Sequence, residues 1–227
     1  MSQNLSDYLR DCPTLRKHSI FVAVPSCRDW KVDFGTSMTN LAVHLTSKFC
    51  RGDISGLFIH AQVASLLSLG RELLVRQALE TDATHILFID DDTKFRHEAI
   101  DFMLSRNVDY IACNMVRKQF PLTNTAYGKD GKSVDSLGKT GFEEVFHVGL
   151  GMCLINLDII RNIPAPLFEV KWVPEKGTYQ GEDMYFCDKL RAAGHKLYID
   201  HDASNLVGHI GDFCYAPYKL EAKKEVA

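Results

Sequence analysis

The chain has 227 residues, 46% of them hydrophobic and 24% charged, with a formal net charge of -3. That size supports a buried core without disulfide or metal staples, and the lack of a global positive field argues against nucleic acid as the main partner. No stretch nears the roughly 18 continuous apolar residues of a membrane span, so a soluble chain is expected.

Residues 19–25 (SIFVAVP) are apolar and rich in Val and Ile, the pattern of a buried strand stopped by proline. Residues 35–50 place Met38, Leu41, Ala42, Leu45 and Phe49 at helical spacing. A second strand is expected over 54–61, a helix over 72–79, and a fully apolar strand over 85–89 (HILFI). Residues 97–104 read as a helix and 110–115 as extended. Strands alternating with helices imply an α/β fold whose mostly parallel sheet is covered on both faces.

The rhythm then changes. Residues 123–141 are rich in Gly, Lys, Asp and Ser, with a turn signal at Lys129, Asp130, Gly131 and Lys132 inside a hairpin. Residues 145–156 are apolar and punctuated by glycine. A helix is expected over 181–193, with Glu182 and Asp183 in its first turn and Gly194 as its stop, then a short strand over 196–199. The end of the chain from residue 219 reads as a solvated tail. With no repeat or linker, the whole chain reads as a single domain with a first half over about 19–115, a second over about 116–212 and a tail over 213–227.

The cysteines at 12, 27, 50, 113, 153, 187 and 214 are odd in number, widely spaced and free of any Cys-x-x-Cys pair. Reduced thiols are the reading, and with the polar start MSQNLSDYLRDCP they point to the cytoplasm. Cys113 and Cys153 lie in apolar runs as small core residues.

Asp90, Asp91 and Asp92 follow HILFI directly. Three carboxylates at the carboxyl end of a buried strand are costly unless positive charge meets them, and strand ends are where open α/β sheets bind ligands. A hard cation, Mg or Mn, carrying phosphate oxygens suits them. The competing reading, an acidic cap on the next helix, needs one aspartate and not three.

An apolar strand followed by Asp-x-Asp resembles the metal and nucleotide-sugar signature of GT-A glycosyltransferases. Residues 22–26 (VAVPS) resemble the first strand of that fold, whose end holds the nucleotide, and GRELLVRQALETDATHILFIDDD resembles its Arg-Asn helix and Asp-x-Asp strand. Arg71 matches the arginine, and Glu72 stands where asparagine is usual. GEDMYFCDKLRAAGHKLYID over 181–200 is similar to the Glu-Asp helix of inverting family-2-like transferases. The resemblance implies Asp183 as general base with Glu182 beside the acceptor. It also implies Asp92, His209 and Asp90 as holders of Mn or Mg, with Pro25, Ser26, Arg71, Asp90 and Asp91 about a UDP- or GDP-linked sugar.

For His209 in NLVGHIG, the neighbouring Asp200, His201 and Asp202 compete as ligands. Residues 148–153 (VGLGMC) resemble a strand lining the sugar pocket, while a bulged core strand explains the glycines nearly as well. Arg117 and Lys118 suit phosphate, acceptor or a solvated turn, and Trp172 suits a sugar ring or the core.

The function expected is metal-dependent transfer of a sugar to an acceptor hydroxyl, with inversion. A sugar nucleotidyltransferase is the second reading, set back by the absence of a glycine-rich basic loop after the first strand, where only Arg28 and Lys31 stand. A binding protein that keeps the fold without catalysis is the third. The acceptor (glycan, lipid-linked sugar, protein, small molecule or modified nucleic-acid base) and the oligomeric state are left open.

Overall fold

The computed structural model describes residues 18–211 and 214–216. The first apolar run forms β1 (Ser19–Ser26), buried along its whole length, and is followed by α1 (Val32–Arg51), β2 (Gly56–Val63) and α2 (Leu67–Leu79). Then come β3 (His85–Ile89), β4 (Thr93–Phe95), α3 (Glu98–Ser105) and β5 (Tyr110–Ala112). After a long excursion follow β6 (Phe142–Val145), β7 (Met152–Asn156), α4 (Leu157–Arg161) and the ribbon of β8 (Lys171–Val173) and β9 (Thr178–Gln180). The described chain closes with α5 (Glu182–Ala192), β10 (Leu197–Asp200), α6 (His201–Ser204), β11 (Val207–Ile210) and β12 (Cys214–Tyr215).

Seven strands make the central sheet in the order β2-β1-β3-β7-β5-β10-β6. β2, β1, β3, β5 and β10 run in one direction, while β7 and β6 oppose them. The sheet is therefore mostly parallel, as the alternating pattern implies, and the reversals fall in the second half of the chain. β7 lies between β3 and β5, so the two sequence halves interleave in one sheet.

Side-chain alternation along β1 divides the core. Ile20, Val22 and Val24 face Phe34, Met38, Leu41 and Leu45 of α1 and Ile100 and Met103 of α3. Phe21 and Ala23 belong to the opposite layer with Leu74 and Val75 of α2 and Phe186 and Leu190 of α5. Each such buried side chain contributes about 1.5–3 kcal/mol relative to exposure. The α1–α3 layer also holds a buried ion pair, Lys48 Nζ to Asp101 Oδ1 at 2.9 Å.

β3 lies where the apolar run predicts. α2 begins five residues before the expected 72, because 67–71 continue the helical turn through buried Gly70 and Arg71. The strand expected over 54–61 runs two residues later, in register with β1. The extended run expected over 110–115 ends as a strand at Ala112, after which buried Asn114 turns its side chain to the excursion: it accepts from Ala126 N at 2.9 Å and donates to Val134 O at 2.8 Å. The turn at Lys129 to Lys132 is present, with Gly131 at φ 75 and an antiparallel bridge from Tyr127 to Ser133. The sequence does not mark the strands β4, β6, β8, β9, β11 and β12; β4, β8, β9 and β12 are three residues or fewer, too short for a two-residue period to register. Cys113 and Cys153 are fully buried, as expected. The tail from residue 219 lies outside the described residues.

Candidate functional site

The carboxyl ends of β1 and β3 lie side by side, and the backbone turns sharply after Ile89. Asp90 N donates to Gly151 O at 3.0 Å and Thr93 N donates back to Asp90 O at 3.0 Å. Thr93 Oγ1 also donates to Gly151 O at 3.1 Å. This fixed turn sends the three aspartates toward three different sets of partners.

Asp90 meets Arg71. The guanidinium, 2% exposed, donates through one nitrogen to both Asp90 oxygens at 2.9 and 3.0 Å and through another to Glu182 Oε1 at 2.5 Å. Burial pushes the Asp90 carboxyl up, and the Arg71 charge opposes that. Arg71 thus ties the end of β3 to the first turn of α5. Glu72, the residue that departs from the Arg-Asn pattern, accepts from Leu167 N at 2.9 Å and anchors the segment before the ribbon.

Asp91 turns to β1. Its Oδ2 accepts from Ser26 Oγ at 2.9 Å and from Cys27 N at 2.7 Å, and Trp30 Nε1 donates to Ser26 Oγ at 3.1 Å. Just beyond, Arg28 has φ 119, a strained value for a residue with a side chain. Pro25, Ser26, Gln62, Gly70 and all three aspartates line a cleft of about 240 Å³.

Asp92 turns to β11. The β4–β11 register sets His209 opposite Thr93, and Ile210 N donates to Asp92 O at 2.6 Å. His209 Nε2 therefore stands 3.3 Å from Asp92 Oδ1, while His209 Nδ1 donates to Val116 O at 3.1 Å. Lys118 Nζ forms an ion pair with Asp92 Oδ2. Burial alone would raise the Asp92 carboxyl, but its contacts with His209 and Lys118 outweigh that and bring it down to about 2.

Asp183 lies in the first turn of α5, beside Glu182, and accepts from Met184 N at 2.8 Å. Burial, then the Glu182 charge, pushes its carboxyl up.

The sequence competitors of His209 are engaged elsewhere. Asp200, wholly buried, pairs with Arg106 Nε at 2.6 Å and caps Ala203 N, Asp202 pairs with Arg106 and Gly141 N, and His201 Nδ1 meets Ser136 Oγ at 2.9 Å. Residues 148–153 lie largely in the core, where a Cβ on Gly149 would lie 3.2 Å from Thr125 Cβ and one on Gly151 would lie 3.2 Å from Met115 Cγ, so close packing accounts for these glycines. Trp172 is half exposed on the β8–β9 ribbon, edge-on to Tyr179 with centroids 5.0 Å apart, so its core reading does not hold. Gln62 and Gly70 in the cleft were missed: β2 and α2 bring them there, and neither carries a local signal.

Among the described residues no three His, Cys, Asp or Glu side chains converge as a metal-binding group. Two ligands do fit a hard cation. Asp92 Oδ1 is buried without a hydrogen-bond partner, and its 3.3 Å from His209 Nε2 is close to the separation of about 3 Å between adjacent ligands of one octahedral ion. Mg and Mn sites of this sparse kind take their remaining ligands from substrate phosphate and water.

No family model and no curated protein matches the chain. Among solved structures, the crystal structure of A197 from STIV is similar at 18% identity with a TM-score of 0.59, over 88% of this chain and 91% of that one. The crystal structure of GalNAc-T7 with UDP, GalNAc and Mn2+ is similar at 12% identity with a TM-score of 0.53, over 86% of this chain and 44% of that one, so this chain spans under half of that protein. These likenesses are of fold alone, a mostly parallel α/β sheet flanked by helices that is consistent with a GT-A-like fold. Among the described residues no helix is long and apolar enough to cross a membrane.

Proposed function

We propose that this chain is a metal-dependent glycosyltransferase that moves a sugar from a UDP- or GDP-linked donor to an acceptor hydroxyl with inversion. The observation that carries this reading is the division of labour at the β3 end. Asp90 is neutralised by Arg71, Asp91 shapes the cleft with Ser26, and Asp92 with His209 keeps ligand atoms for a cation. A purely structural acidic turn has no need of three separate arrangements.

The nucleotide lies in the cleft against Pro25 and Ser26, with Asp91 holding that wall through Ser26 Oγ and Cys27 N. Asp92 and His209 would hold Mn or Mg, with Asp90 held beside them by Arg71. The ion, when bound, supplies positive charge against the departing diphosphate. Arg71 acts through Asp90 and Glu182, since its guanidinium is committed to both. Glu182 stands beside the acceptor and lifts the affinity of Asp183 for a proton.

Asp183 takes the proton of the acceptor hydroxyl. The acceptor oxygen then bonds to the anomeric carbon as the bond from that carbon to the diphosphate oxygen breaks, its electron pair leaving with the nucleoside diphosphate. A carboxylate with raised proton affinity is a stronger base than an ordinary aspartate. The half-exposed Trp172 and Tyr179, on the ribbon that leads directly into α5, offer aromatic faces to the acceptor.

The test is hydrolysis or transfer with a panel of UDP- and GDP-sugars. Turnover should require Mn or Mg, stop with chelator, and be abolished in Asp92→Ala. Full activity of that variant in excess chelator would overturn the metal assignment. Formation of nucleoside triphosphate from donor and pyrophosphate would assign a nucleotidyltransferase instead.

A further inference from the structure

Asp90 and Asp92 are two residues apart, and the cations that meet them differ in kind. Arg71 is 2% exposed and shared between two carboxylates, an arrangement that is expensive to break. Lys118 and Asp92 are each a third exposed. An ion pair open to water contributes little and exchanges readily. Lys118 sits in the excursion after β5, between the bridge of Val116 to Asn124 and the cis bond before Pro121. Its stem passes over Gly211, where a Cβ would lie 3.5 Å from Lys118 Cδ. A flexible four-carbon stem can carry the ammonium between nearby anions without moving the backbone.

The two oxygens of Asp92 are thus differently placed. Oδ2 is taken by Lys118, while Oδ1 is buried, has no hydrogen-bond partner and faces His209 Nε2. A divalent ion arriving alone at Oδ1 and Nε2 meets a carboxylate already neutralised by a monovalent cation, and it feels that cation's repulsion. An ion arriving with a diphosphate brings negative charge that offers Lys118 a second partner.

We propose that Lys118 is a resident cation of the site, holding Asp92 until metal and nucleotide arrive together, then passing from Asp92 to the diphosphate. This rests on the metal-dependent reading given above. Lys118 accordingly makes metal and nucleotide binding cooperative, and the coupling is reciprocal by linkage.

The experiment is titration of the purified chain with Mn2+, following the EPR signal of the free ion, in wild type, Lys118→Met and Asp92→Asn, with and without UDP or GDP. Without nucleotide, Lys118→Met should bind Mn2+ about tenfold more tightly than wild type, the scale of removing one nearby charge at the solvent edge. The factor by which nucleotide tightens Mn2+ binding should be smaller in Lys118→Met than in wild type. Equal or weaker Mn2+ binding by Lys118→Met, with binding lost in Asp92→Asn, would overturn this inference and leave the metal site standing. Mn2+ binding indifferent to both substitutions would remove the metal reading and this inference with it.

Discussion

The burial that suits Asp183 to its proposed role as base also makes it destabilising. Burial and Glu182 raise its proton affinity above the ordinary value of 3.8. A base works deprotonated, so transfer should climb with pH through a midpoint above that value. Asp183→Asn keeps shape and most hydrogen bonding, so donor binding should persist while transfer falls about a hundredfold or more. A group whose folded-state affinity for a proton is raised costs stability once it is ionised, at pH above its unfolded value. Asp183→Asn should therefore melt higher than wild type near neutral pH, with the advantage vanishing below the ordinary carboxylate range. A melting temperature equal to wild type at every pH would mean that Asp183 is not strained in the folded chain, and near-normal transfer would remove it as base.

At the scale of elements, Arg71 of α2 is the strut between β3 and α5. Its guanidinium spans Asp90 and Glu182, so the end of β3 and the distant α5 are fixed to α2 by charge as well as by the core they share. Arg71→Met would leave two carboxylates facing each other around an apolar side chain. The expected loss is about 3–5 kcal/mol by urea denaturation, the usual range for removing one partner of a buried charge network. Arg71→Lys should recover part of it, because a lysine keeps the charge but not the fork. Equal loss in both variants would mean that packing of the stem, not charge, is what Arg71 supplies. The β4–β11 pairing plays the corresponding part on the other side, carrying His209 to Asp92.

Over the whole molecule, both layers of core lean on the same strands. Phe88 and Leu87 are neighbours in β3, yet Phe88 packs with α2 and α5 while Leu87 packs with α1 and α3. Because β7 of the second half is inserted between β3 and β5 of the first, neither half carries a complete sheet. One cooperative unfolding transition follows. Phe88→Ala and Leu41→Ala, on opposite faces, should each destabilise that single transition, by about 3–5 and 2–5 kcal/mol respectively. Two separable transitions, each sensitive to one substitution, would show that the layers fold independently.

Much of this was legible along the chain. After His85, every residue of HILFI is apolar because β3 is covered on both faces, and a strand so buried announces both itself and the charged turn that ends it. The acidic first turn and the Gly194 stop mark α5 equally well, because helix ends leave backbone groups that particular residues satisfy locally. Local chemistry of that kind is written in consecutive residues. What the chain order did not contain was the partner of each charge. Arg71 and Glu182 are 111 residues apart, and Lys118 and Asp92 are 26 apart. Asp90, Asp91 and Asp92 are alike in sequence, and only the tertiary structure made one the partner of buried Arg71, one a cleft wall and one the neighbour of Lys118 and His209. The physical reason is that burial and electrostatic pairing depend on distance in space, which hydrophobic period and end signals do not encode.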